Sequence, residues 1–430
     1  MDGSTTAGLP GSIPDYRARV VDGELVNRLR ATGAVLIEGP RGCGKTQTGL
    51  RVARSAIRLD SDVAARDAGL LEPALLLPGD RPRLIDEWQL VPAVWNAVRR
   101  EVDDRGGLPG QFILTGSAVP ADDETRHTGA LRFTRLRMRP MSLAESGHSA
   151  ASVSLAALFD GEAAHAADPG LRIRDIAERI CVGGWPSLQD RDFVDAMAAI
   201  EGYLDETRRV DLQRLDGPRH DPENVARVLR SLARHVATEA SARSIAADIG
   251  GVDQAIKPHT VLEYVASLAR LYVIEDQPAW SPALRSRATL RATPKRHFVD
   301  PSLAAAALAA DPDRLLGDPE TLGLLFESLV VRDLRVHAQP LGGSVFHYRE
   351  STGLEVDAIV QLRDGRWAAV EVKLGQHLIG EAASRLLRVA AHVDEERHGA
   401  PAFLAVITGW GFAYRRDDGV LVLPIGSLGP

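Results

Sequence analysis

Eight consecutive residues, Gly39-Pro40-Arg41-Gly42-Cys43-Gly44-Lys45-Thr46, satisfy the spacing Gly-x-x-x-x-Gly-Lys-Thr at every fixed position. Each type has a chemical reason to be there. Gly39, Gly42 and Gly44 let backbone N–H groups converge on phosphate oxygens, the Lys45 ammonium neutralises β/γ charge, and the Thr46 hydroxyl is a ligand for Mg²⁺. With Pro40, Arg41, Cys43 and Gln47 they form a candidate cradle for a nucleoside triphosphate. A competing reading of Cys43 as a redox-sensitive thiol is weaker than that of a small loop residue. A second signal is Leu84-Ile85-Asp86-Glu87, two carboxylates closing an apolar run. Asp86 is the candidate to orient Mg²⁺ or its waters, and Glu87 the candidate to polarise an attacking water. Thr115 and Ser117, at the end of 111–114, are candidates to sense a γ-phosphate, against the alternative of turn hydroxyls bonded locally.

A further set of chemistry-bearing residues lies near the other end. Glu327 interrupts an apolar helical stretch at 323–334. Strand candidates at 354–360 and 367–373 flank an Asp364-Gly365 turn and predict a hairpin. Period-two alternation puts Glu371 and Lys373 on one face, with Asp357 on the facing strand. Asp357 and Glu371 are candidate Mg²⁺ ligands, Lys373 a candidate to orient a metal-bound hydroxide, and Glu327 would complete the carboxylate set, an arrangement suited to phosphodiester hydrolysis. The alternative is a hairpin whose Glu and Lys form a surface ion pair worth about 0–1 kcal/mol. His347 and Tyr348 read as strand packing more readily than as substrate contacts.

The elements that must position these residues follow from pattern. An apolar strand at 34–37 leads into the phosphate loop, and the sequence predicts a helix over 46–57 after it. Strands ending at Asp86 and at 114 would bring their termini to one carboxyl edge of a parallel sheet. An amphipathic helix over 91–102 carries Trp95 as a core anchor. Residues 150–170, rich in Ala, Ser, Asp and Gly, read as a loose connection or an exposed helix, and Gly183-Gly184-Trp185-Pro186 breaks the helical pattern that follows. Segments 244–250, 260–268 and 271–275 read as helix, helix and strand, the order of a winged helix-turn-helix; with Glu263 and no basic residue before Arg270, packing or partner contact is favoured over DNA reading. The cations of 284–291 and Lys295-Arg296-His297 would either contact phosphates or pair with the surplus acids.

The chain has 430 residues, 45% of them apolar, and a formal net charge of −7. The length suggests three domains, and the charge argues against coating nucleic acid by bulk electrostatics. Two cysteines cannot build a disulfide framework and fit a reducing cytosol, so a cytoplasmic location is expected. The amino terminus lacks a signal-peptide pattern and no run of about 18 apolar residues follows, which predicts no export and no membrane partner.

The phosphate loop, Leu-Ile-Asp-Glu-Trp-Gln-Leu-Val-Pro from Leu84 and Phe-Ile-Leu-Thr-Gly-Ser from Phe112, in this order, resemble the bacterial and archaeal AAA+ ATPases that carry a C-terminal DUF4143 domain. The segment 132–145 is similar to the one that closes the ATPase module in that family. The resemblance implies an α/β fold class: an AAA+ P-loop parallel sheet at 18–148, a helical winged-helix region at 149–295 and an α/β PD-(D/E)xK nuclease-like domain at 296–430. Glu327, Asp357, Glu371 and Lys373 match that nuclease pattern, with Val356-Asp357 where it has Pro-Asp. An arginine commonly completes such nucleotide sites. Arg126, Arg132, Arg135, Arg137 and Arg139 are available, and Arg132 is the first candidate. The implied cofactors are ATP and Mg²⁺, ATP rather than GTP because no Asn/Thr-Lys-x-Asp element is present. The implied function is an ATPase coupled to a domain that binds and cleaves DNA; the alternative is an ATP-dependent regulatory or toxin-like switch that binds nucleic acid or a protein partner without cleavage. A sequence-specific DNA-binding regulator is a third reading. A homo-oligomer is expected because relatives build nucleotide sites between subunits.

Overall fold

Short apolar runs that are buried on both faces pair in parallel when helices cover both sides. The computed structural model describes residues 16–116, 128–216, 221–250, 256–281, 293–350 and 353–430. It divides into two compact units, 1–139 and 140–430.

In the first unit, β1 (Ala34–Glu38), β2 (Ser55–Arg58), β3 (Arg83–Asp86), β4 (Phe112–Gly116) and β5 (Phe133–Arg137) form one parallel sheet in the order β2-β3-β4-β1-β5. Its helices are α1 (Asp22–Ala31), α2 (Lys45–Leu50), α3 (Val63–Leu71) and α4 (Val94–Asp104). One core contains Leu25, Leu29, Val35, Ile37, Leu50 and Met138; another contains Leu36, Trp88, Trp95, Val98 and Phe112. The four-residue spacing of Val94, Val98 and Val102 turns one face of α4 inward. Trp95 is buried there, stacked 4.0 Å from Phe133.

The helix expected over 46–57 stops at Leu50, and Ser55–Arg58 is β2 instead. The Arg54 N–H bonds the Pro82 carbonyl at 2.8 Å, starting a ladder that pairs Ser55 with Arg83 and Ile57 with Ile85. A free sheet edge thus outweighed a helical preference that is weak in sequence.

The second unit begins with β6 (Val153–Ser154), which pairs in parallel with β15 (Leu428–Gly429), and α5 (Leu155–Phe159). The loose connection expected over 150–170 is therefore partly ordered structure: Leu155, Leu158 and Phe159 are buried, and the Phe159 ring meets Phe403 edge-on at 5.3 Å. Its anchor lies more than two hundred residues downstream in sequence, beyond the reach of any local pattern. Helices α6 (Ile173–Val182), α7 (Phe193–Glu206), α8 (Leu212–Asp216), α9 (Pro222–Arg234), α10 (Ala242–Ile249) and α11 (Pro258–Arg270) follow. A two-stranded antiparallel ribbon, β7 (Ile274–Gln277) with β8 (Lys295–Phe298), succeeds them. Helix α6 ends before Gly183, whose φ of 69° leaves the helical region, and Gly184 must be glycine because a Cβ there would lie 2.0 Å from the Met141 carbonyl oxygen.

Helices α12 (Pro301–Ala307), α13 (Pro312–Leu316) and α14 (Pro319–Ala338) precede a six-stranded sheet ordered β13-β14-β12-β11-β10-β9. Strands β9 (Ser344–Arg349), β10 (Glu355–Gln361) and β11 (Trp367–Lys373) are antiparallel neighbours, so the expected hairpin is present. Helix α15 (Ile379–His392) and the short α16 (Glu395–His398) then lead to β12 (Leu404–Thr408), parallel to β11. The sheet closes with β14 (Leu421–Pro424), parallel to β12, and β13 (Tyr414–Arg415), antiparallel to β14. Ile379, Ala382, Leu386 and Val389 turn α15 onto a core with Val356, Trp367 and Val406. Among the described residues, no helix is long and apolar enough to cross a membrane.

Candidate functional sites

The first site is the carboxyl edge of the parallel sheet. Glu38 ends β1, residues 39–44 turn, and α2 starts at Lys45. Gly42 and Gly44 have φ of 72° and 103°, backbone that suits glycine. A Cβ on Gly39 would stand 2.1 Å from the Met138 carbonyl oxygen, so only glycine passes there. Lys45 is buried, its Nζ donating to the carbonyls of Gly39 at 2.9 Å and Pro40 at 2.7 Å. The Thr46 hydroxyl donates to both Asp86 oxygens at 2.9 and 3.1 Å. Asp86 ends β3 directly opposite Thr115 on β4, and the Thr115 hydroxyl also donates to it.

Thr115 therefore supports Asp86 instead of standing free to meet a phosphate, because the β3–β4 register fixes the pair. Ser117 lies outside the described residues, as does Arg126. Glu87 follows with a left-handed backbone, φ 54°, and accepts from the Gln89 side chain. Burial raises its pKa, opposed by the nearby Lys45 charge. Gln47 is half-buried on α2, and the Cys43 side chain is fully buried in the core with Leu50 and Met138.

Arg19 was not legible as part of this site. Its buried guanidinium donates to the Cys43 carbonyl and to the Arg139 carbonyl, each at 2.7 Å, tying the loop to the segment after β5. Nothing in its sequence neighbourhood signals that role. Arg132, the first choice for completing the nucleotide site, is at the opposite edge of the sheet. Phe133 pairs with Ala34 at the start of β1, and Arg132 bonds Asp103 at 2.7 Å. It is a strand length, about 16 Å at 3.3 Å per residue, from the loop of its own chain. Arg137 is opposite Glu38 at the loop edge, while Arg135 pairs with Glu38 at 2.8 Å and lies over the Trp95 ring.

The second site gathers α14, β8, β10, β11 and α15. Asp357 lies at a β-bulge where the β9–β10 register shifts between Val356 and Ile359. Its Oδ2 accepts from the Val372 N–H at 2.8 Å and meets Lys373 Nζ at 3.2 Å. Lys373 Nζ also sits 2.8 Å from Glu371, which Arg385 approaches at 3.5 Å. Glu327, from α14, pairs with Lys295 at 2.7 Å, and Lys295 stands 3.7 Å from Asp357 Oδ1. Glu327, Asp357, Glu371 and Lys373 are thus brought together as the hairpin pattern suggested, and the Glu371 side chain is 0% exposed, so an ordinary surface ion pair does not describe it.

Burial, then the Asp357 charge, raises the pKa of both Glu371 and Glu327, with Lys373 and Lys295 opposing. Burial alone would raise Asp357 as well, but Lys295, Lys373 and the Val372 N–H outweigh it and hold the carboxyl below its ordinary value. Burial would lower Lys373, yet Asp357 and Glu371 raise it.

Sequence reasoning missed Lys295 and Arg385 as members. Lys295 was visible only as one of a run of cations. Its neighbours in that run are spent inward too: Arg296 donates to the Ala240 carbonyl, and buried His297 lies between Ser328 and Gln277. Phosphate contact by 295–297 is thereby replaced by internal pairing, since β8 is a buried strand; 284–291 lie outside the described residues. His347 is buried, and burial lowers its pKa to about 4. Among the described residues, no group of three or more His, Cys, Asp or Glu is arranged to hold a metal ion; Asp357 and Glu371, the candidate Mg²⁺ ligands, pair with Lys373 at 3.2 and 2.8 Å. Beside the cluster, a groove of about 400 Å³ is lined by Gly353, Leu354, Glu355, Arg385, Arg388 and His392.

Residues 31–147 match the family model of an AAA domain, and residues 322–428 match that of DUF4143, a domain of unknown function. Between them, residues 173–314 match DUF8612, another domain of unknown function. The chain therefore carries an AAA domain towards its amino terminus and a DUF4143 domain at its carboxyl end. No curated protein matches it. Among solved structures it is similar to the Walker-type ATPase PABY2304 of Pyrococcus abyssi, at 13% identity over 69% of this chain and 97% of that one, with a TM-score of 0.42. A RuvB variant of Thermotoga maritima is similar at 16% identity over 60% and 89% of the respective chains, with a TM-score of 0.25.

Proposed function

We propose that the protein is a Mg²⁺-dependent ATPase whose DUF4143 domain is nuclease-like and binds the phosphate backbone of DNA. The observation that carries the first half is the convergence of Lys45, Thr46, Asp86 and Thr115 on one sheet edge beside a glycine-shaped loop. Thr46 with Asp86 forms a hard-oxygen donor set of the kind that holds Mg²⁺ directly or through water. A bound Mg²⁺ would neutralise charge developing on the β/γ oxygens. Lys45 exchanges its two loop carbonyls for phosphate oxygens, and Glu87 orients the attacking water. Arg132 serves a neighbouring subunit's nucleotide, which requires a homo-oligomer. Isothermal calorimetry with Mg-ATP is expected to show saturable heat, and ATP is expected to raise the melting temperature with the logarithm of its concentration. Silence in both measurements ends the ATPase reading.

For the second half, the support is a helix, three antiparallel strands, a helix and a parallel strand, with Glu327, Asp357, Glu371 and Lys373 on facing elements. Arg385, Arg388 and His392 line the adjacent groove at i, i+3 and i+7 of α15, about 10 Å along the helix at 1.5 Å per residue. That span suits successive phosphates of one strand. The α10–α11 pair with its ribbon resembles a winged helix whose helices serve packing or a protein partner.

A second reading, the switch that binds without cutting, is favoured by the pairing of the three carboxylates with Lys295, Lys373 and Arg385. Plasmid and oligonucleotide incubation with Mg²⁺ separates the two. Under the switch reading the wild type, Glu371→Ala and Lys373→Ala all leave DNA intact. Cutting by the wild type that both substitutions abolish establishes the nuclease.

A further inference from the structure

Three acids and three cations make up the cluster: Glu327, Asp357, Glu371, Lys373 and Arg385 from the residues that match DUF4143, and Lys295 from those that match DUF8612. Among these six side chains formal charge is balanced before any metal is added, with Arg385 shared with Glu381 at 3.0 Å. Lys295 has the most particular position. Its side chain is 10% exposed and its Nζ lies between Glu327 Oε1 at 2.7 Å and Asp357 Oδ1 at 3.7 Å. The other Asp357 oxygen is already engaged by the Val372 N–H and Lys373. Lys295 is also held in place through its strand. It pairs with Gln277 on β7, whose Nε2 donates to the carbonyls of Phe346 at 2.9 Å and Asp357 at 3.0 Å.

We propose that the Lys295 ammonium is a built-in counter-ion, standing between Glu327 and Asp357 where a divalent cation would otherwise be held, and that neutralising it creates a divalent-cation site. The inference deepens the reading of this domain as a binder that does not cut, and rests on that reading. Both cations satisfy buried carboxylates, but only the metal draws water into its shell and makes it a nucleophile near neutral pH. Lys295 thus stabilises the nuclease-like frame while withholding that chemistry. Without it, two buried carboxylates lose their shared partner, and a small hard cation with oxygen ligands is the natural replacement.

The test uses the full chain, treated with a chelator, free of nucleotide, with Mn²⁺ as probe read by electron paramagnetic resonance and calorimetry. The wild type is expected to show no Mn²⁺ binding that depends on Asp357, judged against Asp357→Asn. Lys295→Met is expected to gain one Asp357-dependent Mn²⁺ per chain, binding at least about tenfold above the detection limit at which the wild type shows none, since a competing positive charge has gone. Adding Asp357→Asn to Lys295→Met should remove the new site, which separates it from Mn²⁺ held at Thr46 and Asp86. An Asp357-dependent site already present in the wild type overturns the proposal, as does a folded Lys295→Met chain that gains none. Should Lys295→Met fail to fold, Lys295→Gln takes the same measurements, and the wild type against Asp357→Asn still decides the first arm. DNA cutting by the wild type would instead sink the underlying reading, so the two failures are distinguishable.

Discussion

Lys45→Ala is expected to lower Mg-ATP hydrolysis by about 10²–10³-fold, the usual loss when one preorganised donor to transition-state charge is removed. The ammonium is buried and held by the Gly39 and Pro40 carbonyls, so it is already at the loop before any phosphate arrives. Charge that needs no reorganisation at the moment of reaction is worth most to the transition state. Folding should survive, because neither core on the two faces of the sheet, one with Leu36 and Leu114 and the other with Ile37 and Leu84, includes Lys45. Phosphate release measured beside thermal melting checks both halves. Lys45→Arg retains the charge but not the compact ammonium, and should recover little activity. Turnover near the wild-type rate in Lys45→Ala would remove the phosphate loop from the mechanism.

The second large effect concerns stability. Arg332→Ala is expected to cost about 3–5 kcal/mol, since it strips the partner from two buried carboxylates. Arg332, Asp300 and Asp333 are 3%, 0% and 1% exposed. The guanidinium donates to Asp333 at 2.9 and 2.7 Å and to Asp300 at 2.9 Å. Both acids then reach further: Asp300 accepts from the Gly184 and Ser302 N–H groups, and Asp333 from the Leu143 N–H. One side chain thus ties together four stretches of chain. Because whole-domain stability is typically 5–15 kcal/mol, the loss should appear as a marked fall in the urea midpoint. An unfolding free energy within about 0.5 kcal/mol of the wild type, the range of ordinary surface substitutions, would show that the network contributes little.

The legibility of these features tracks their range in sequence. The glycines, Lys45 and Thr46 sit within eight positions, so the loop between β1 and α2 is legible as a local pattern. Asp86 and Glu87 were visible as the end of an apolar run, but the capture of Thr115 by Asp86 waited on a register between strands. Glu371 and Lys373 shared a face by alternation alone. Arg332 and Asp333 look like routine surface charges in a helical pattern, and only the enclosure of α14, where Leu329, Val330, Val331 and Leu334 are also buried, reveals them as interior. Family likeness points to Arg132, yet its pairing with Asp103 at the amino edge of the sheet keeps it away from its own loop.

By itself the sequence determined the glycine-lined turn between β1 and α2 and the alternation of the acidic hairpin, because both depend on neighbours one to eight residues apart, whose geometry the backbone imposes. Tertiary structure alone decided that Lys295, rather than solvent, answers Glu327 and Asp357, and that Arg19 braces the loop. The physical reason is that a buried charge takes its state from whichever partner packing brings within about 4 Å, and that partner's position in the sequence is unconstrained.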